Sequence, residues 1–248
     1  MLTLFLLACQ PHDRRGTGDV EAGRDYLLYG DYVGGGIPAD FYFSIVGEDP
    51  SNVLERTGRA ARVSRTFNLF EAANGVEVVG GITCLGCHGS MLDGTFVIGR
   101  GETMRDYSAD ESYLFSVART GIQNTYGIDS PEYEAFRPWA RGGQVVAPDI
   151  VAPFAGPNPA FSVERAAVAW RDPETLAWQD QPVFQVPELV MAGDVPPWWN
   201  VRKKTRLYYT AMGGGDLATL ISQVSMVGLE TREQFDGIAD RMVDVLAY

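Results

Sequence analysis

The sequence predicts a mainly α-helical domain with long irregular segments and one short β-hairpin, and three observations carry that prediction. Residues 216–248 hold two consecutive amphipathic stretches with apolar residues at helical spacing. Asn74-Gly75, a dipeptide suited to chain reversal, lies between two short runs of strand-forming residues. The chain carries 28 Gly and 14 Pro, which implies many turns and long connections rather than a compact helical bundle.

The elements follow in chain order. "MLTLFLLAC" is apolar from Leu2 to Ala8 apart from Thr3, is too short to span a bilayer, and stops at a cysteine preceded by a small residue. It reads as a signal peptide over residues 1–9, and Leu6-Leu7-Ala8-Cys9 resembles a bacterial lipobox in which Cys9 is acylated. No Lys or Arg precedes the apolar run, so the start codon is expected upstream. Residues 10–25 are polar and without periodicity, as a linker would be, and His12 falls inside them. One domain is expected from Tyr26 to the end, since no internal repeat is visible.

Within that domain, Pro38 opens and Gly47 stops a helix in "IPADFYFSIVG". Two strands flank Asn74-Gly75 and deliver the chain to "GGITCLGCHGS". Ser130 and Pro131 open a further helix as N-cap and first-turn residue. The stretch 145–197 is Pro-rich with short helical pieces, expected to wrap over a core or a ligand. Asp216 caps a helix whose stripe is Leu217, Leu220, Ile221, Val224 and Val227, with Gly228 as its stop. Thr231 and Gln234 form a capping box for the last helix, which buries Phe235, Ile238, Ala239, Met242, Val243 and Leu246. That helix reaches Tyr248 without a stop signal, so the chain is expected to be an incomplete piece of a longer one.

Charge narrows the function. A formal net charge of −12 works against sequence-independent nucleic-acid binding, which needs clustered Lys and Arg. Only Arg202, Lys203, Lys204 and Arg206 form such a cluster.

The chemistry concentrates at Cys84, Cys87 and His88. Two thiols three apart, with an imidazole directly after the second, is the spelling used for covalent haem attachment. A helical turn sets both thiols to add across the two vinyl groups of one porphyrin, and carries His88 under the iron as proximal ligand. Gly86 and Gly89 would keep the backbone slim against the macrocycle. Structural zinc wants four N or S ligands, and beyond these three the sequence offers only Cys9 and His12 of the leader. A thioredoxin-like redox pair lacks its βαβ surround, and a plain disulfide is the remaining alternative.

"LLYGDYVGGGIPADFY", "NGVEVVGGITCLGCHGS", "GTFVIGRGETMRDY", "RDPETLAW" and "DVPPWWNVRKKTRLYYTAMGGGD" resemble the N-terminal haem half of bacterial two-haem c-type cytochromes related to cytochrome c peroxidases and rubber-cleaving oxygenases. The resemblance runs from Tyr26 to Tyr248 and implies an enlarged cytochrome c-like domain with covalent haem c and its iron. Such proteins usually continue into a second haem domain with its own Cys-x-x-Cys-His, which this sequence does not contain. Export and a lipid anchor would put the protein in the periplasm or on the cell surface, with redox proteins as partners.

No second histidine is free inside the domain for the sixth iron position, which leaves methionine, lysine, water or an empty site. Met91 lies on the same side as His88, and Met242 belongs to the last helix's stripe. Of Met104, Met191, Met212 and Met226, the first candidate is Met226. At about 100° per residue it falls opposite the Leu217 stripe, and it precedes the last helix as the ligand methionine does in small c-type cytochromes. Met212, beside Gly213-Gly214-Gly215, is the alternative. Trp198 and Trp199 are candidates for packing on the porphyrin edge or relaying electrons, and Arg202, Lys203 and Lys204 for pairing with haem propionates. Glu102 and Asp106 have no evident partner. The expected function is electron transfer through one covalent haem. The alternatives are the haem half of a peroxidase or oxygenase, and a haem sensor without turnover.

Overall fold

The computed structural model describes residues 13–208 and 210–248; the leader with Cys9, and His12, lie outside the described residues. With 44% helix and 10% strand, the domain is mainly α as expected. In chain order the helices are α1 Val20–Tyr29, α2 Ala39–Ile45, α3 Cys84–Cys87, α4 Ser112–Tyr126, α5 Pro131–Val146, α6 Ala160–Ala169, α7 Leu217–Ile221 and α8 Arg232–Ala247. The strands are β1 Ile37–Pro38, β2 Asn68–Glu71, β3 Glu77–Gly80, β4 Gly89–Leu92 and β5 Thr95–Ile98.

α1 overturns part of the expected linker. The Asp19 carboxylate accepts from the Ala22 amide and starts the helix at Val20, and Leu27 and Leu28 are buried. α1 packs on α8 so closely that a Cβ on Gly23 would stand 2.0 Å from the Asp244 carbonyl oxygen. Upstream, Arg14 pairs with Asp216 at 2.7 Å and also with Asp240. These partners lie more than two hundred positions away, so no local pattern in 10–25 announces them.

The hairpin around Asn74-Gly75 forms as expected. β2 and β3 pair antiparallel with Glu71 opposite Glu77, and Gly75 takes φ +83° in the turn. β1 adds to the other edge of β3, giving the order β1-β3-β2. A second hairpin, β4–β5, was not anticipated. Its turn is Asp93-Gly94, with φ of 49° and 80°, and Asp-Gly is itself a strong reversal signal.

α5 begins as its sequence says, with the Ser130 hydroxyl accepting from the Tyr133 amide and Pro131 in the first turn. It lies against the segment 222–227 with no room for a side chain at Gly142, where a Cβ would fall 1.5 Å from the Val227 carbonyl oxygen. Asp216 caps α7, and Thr231 with Gln234 caps α8 through both halves of the capping box. Leu27, Ile122, Phe136 and Met242 are closed off from solvent in the main core. Burial of each contributes about 1.5–3 kcal/mol.

One phase error matters for the site. α7 is only five residues long and tightens into a 3₁₀ segment, Ser222–Val227, before Gly228. A 3₁₀ turn advances about 120° per residue, so the projection at α-helical pitch fails. Met226 turns into the core at 8% exposure rather than away from it.

Candidate haem site

β3 leads into the cysteine segment through Ile82, which holds φ 63°, a conformation that costs a β-branched residue about 1–3 kcal/mol. Cys84–Cys87 then make a single helical turn, closed by the His88 amide on the Cys84 carbonyl at 2.8 Å. Both thiols are free. Cys84, Cys87 and His88 all line one cavity of about 2390 Å³, well beyond the roughly 300–1,000 Å³ of an ordinary ligand cleft. Ile98, Phe115, Val146 and Val163 give it apolar walls.

The glycines of the motif divide. Gly86 lines the cavity and a Cβ there would meet nothing closer than 3.8 Å, so the protein itself does not require glycine at that position. Gly89 is slim for another reason: a Cβ would stand 2.3 Å from the Phe96 ring, so its role is to seat β5 rather than a macrocycle.

Each reactive side chain has a defined surround. Burial pulls the His88 imidazole down to about 4, so the ring is neutral at physiological pH and keeps a lone pair for a metal. The Pro196 backbone works in the opposite direction, while Nδ1 is buried without a hydrogen bond of acceptable geometry. The Trp198 indole lies 5.1 Å from the imidazole, centroid to centroid, at 33°. Burial pushes the Cys84 thiol up to about 12, with the Tyr32 hydroxyl offsetting part of the effect. Cys87 Sγ accepts from Asn158 Nδ2 at 3.2 Å, and that amide also reaches the Tyr107 hydroxyl at 3.0 Å. Among the described residues, no group of three or more His, Cys, Asp or Glu side chains could hold a metal ion by itself.

Comparison with family models, with curated proteins and with solved structures returned no match.

The fit to a haem therefore rests on these side chains. Two thiols and a neutral imidazole share one apolar wall, and the indole Nε1 of Trp139, also on the cavity, is buried without an acceptor. Of the basic residues expected at the propionates, Arg202 and Lys204 line the cavity and Lys203 does not. Arg105, which sequence reasoning passed over, lines it too, with its guanidinium 5.1 Å from the Tyr107 ring centroid. Trp198 packs against His88 with the rings tilted, whereas Trp199 is 55% exposed at the cavity surface. Glu102 does have a partner, Arg65 at 3.4 Å, and Asp106 accepts from the Ser108 amide.

The methionines are reassigned. Met226 packs in the core and is absent from the cavity wall, while its backbone carbonyl accepts from the Arg171 guanidinium. Met104 is 82% exposed and likewise off the wall. Met212 and Met191 do line the cavity. Asn158, Tyr107 and Tyr32 were also missed. The available signals were the Asn-Pro turn at Asn158 and the tyrosine closing "GRGETMRDY".

Proposed function

We propose that this chain is an exported c-type cytochrome domain that binds one haem covalently through Cys84 and Cys87, with His88 as proximal ligand, and carries electrons to redox partner proteins. One observation carries the reading: a single helical turn gives two free thiols and a neutral histidine a common cavity wall. The bound group would supply the one-electron chemistry. The chain's own residues orient and insulate it. Trp198 steadies the His88 ring, Asn158 and Tyr107 hold the second thiol, and Arg105, Arg202 and Lys204 are suited to propionates. Acylation at Cys9 would tether the domain to a membrane surface in the periplasm or at the cell exterior. Among the described residues, no helix is long and apolar enough to cross a membrane. Haem that stays on the chain through denaturation tests the proposal.

A second reading, the haem half of a peroxidase or oxygenase with a second haem domain as partner, is favoured by the cavity. Its volume leaves space beside a cofactor, and Met212, the methionine that replaces Met226 as sixth-ligand candidate, is 62% exposed. The resemblance to bacterial two-haem cytochromes points the same way.

A further inference from the structure

Glu164 sits on α6, whose N-terminal turn follows Asn158, the residue in contact with Cys87. Its Oε2 accepts from the Tyr208 hydroxyl at 2.8 Å, and both residues line the cavity that holds the cysteine motif. Tyr208 is fixed from two sides. Its ring meets Phe161 edge-on with centroids 5.4 Å apart, and the backbone beside it is closed by paired hydrogen bonds between Leu207 and Gly213, 2.7 and 3.3 Å. Tyr208 adopts φ 64°, an uncommon conformation for a non-glycine residue.

We propose that Glu164 and Tyr208 form a redox-linked proton site: Glu164 binds one proton from solvent as the iron seated in this cavity gains one electron from an external one-electron donor. The inference rests on the haem reading above. Burial pushes the Glu164 carboxyl up to about 7, and the Tyr208 hydrogen bond pulls it part of the way back. A carboxyl poised there is half ionised near neutrality, so a change of one charge in the same cavity alters its proton occupancy. Linkage makes the effect reciprocal: what favours the proton on reduction also favours the electron when the proton is bound.

Of the other charged groups around α6, Asp194, Arg202 and Lys204 line the same cavity as Glu164. Arg165 turns its guanidinium to the Phe184 ring at 4.8 Å, and Arg141 of α5 pairs with Glu230. Asp149, in the 3₁₀ turn Ala147–Ile150 after α5, is a separate carboxyl that burial also pushes up, and the segment Ser222–Val227 has no titratable side chain. Arg206 reaches the Ala211 carbonyl. Of the described groups, Tyr208 is the one whose interaction with Glu164 shifts its titration.

The experiment is a spectropotentiometric titration of the haem-loaded chain across pH 5.5 to 8.5, with Glu164→Gln and Tyr208→Phe beside it, and infrared difference spectra of reduced minus oxidised protein. The wild-type potential falls as pH rises, with a slope approaching about 59 mV per pH unit, the one-electron equivalent of a tenfold change. A carboxylic C=O band appears on reduction. Glu164→Gln flattens the slope and removes the band, and Tyr208→Phe moves the sloping window to higher pH because the stabilising hydrogen bond to the carboxylate is gone. A flat wild-type profile, or a slope and band retained in Glu164→Gln, overturns the inference. Failure to find covalent haem at all overturns the haem reading instead, so the two outcomes are distinct.

Discussion

His88 and Trp198 are joined by both ring contact and backbone. Their centroids lie 5.1 Å apart, the Gly99 amide donates to the His88 carbonyl, and the Trp198 amide donates to the Gly99 carbonyl, each at 2.8 Å. The indole thus fixes the plane of the imidazole from a segment remote in sequence. Trp198→Ala is expected to lower stability by about 0.5–1.5 kcal/mol from the ring pair, with more from lost apolar contact. Urea unfolding checks this, and Trp198→Phe should recover most of the loss. Equal stability of Trp198→Ala and wild type would contradict the contact. In the haem-loaded chain, the alanine variant should also show more high-spin iron.

The sixth ligand separates two methionines by location. Met212→Ala should abolish the near-infrared methionine–iron band of the ferric chain, whereas Met226→Ala should leave the band intact and cost about 2–5 kcal/mol as a core truncation. Loss of the band with Met191→Ala instead would move the role to residues 189–196. A wild-type chain with no band and fast cyanide binding would favour the enzyme reading over the electron carrier.

Glu164 predicts a pH dependence that needs no cofactor. Its native carboxyl titrates at about 7 against the ordinary carboxylate value of 4.5, so between those values the native state binds more protons than the unfolded chain. Stability is therefore full below about pH 4.5, declines as pH rises to about 7, and stays low beyond. At about 1.4 kcal/mol per pH unit, discounted for residual exposure, the decline is on the order of 1–2 kcal/mol. Chemical denaturation of wild type and Glu164→Gln at pH 5 and pH 8 measures it. Glu164→Gln should match wild type at the lower pH and exceed it at the higher.

The sequence reveals what is encoded over short distances. Asp216, Ser130 and the Thr231–Gln234 box are local capping devices, and each starts its helix where read. The Cys84–His88 spacing is likewise local, and so was legible as one turn. What escaped depends on partners far along the chain. Arg14 on Asp216, Asn158 on Cys87 and Tyr208 on Glu164 are contacts without a periodic signature. The fate of Met226 turned on a local detail of another kind, the change from α to 3₁₀ pitch after Ile221, which apolar spacing cannot announce.

Lipid anchoring is tested through Cys9. If the lipobox is processed, Cys9→Ser should release the protein from the membrane fraction and change its mature mass. A variant with unchanged mass and fractionation would contradict the anchor while leaving the haem site untouched.

Covalent attachment itself is the most direct measurement. The chain, expressed with a cytochrome c maturation system, is denatured, and its intact mass and pyridine haemochrome spectrum are recorded. One haem per chain should be retained after denaturation, with a spectrum marking two thioethers; Cys84→Ala and Cys87→Ala should each leave one thioether, and the double variant none. A chain matured under the same conditions that loses all haem on denaturation, or never acquires it, would contradict covalent attachment through Cys84 and Cys87.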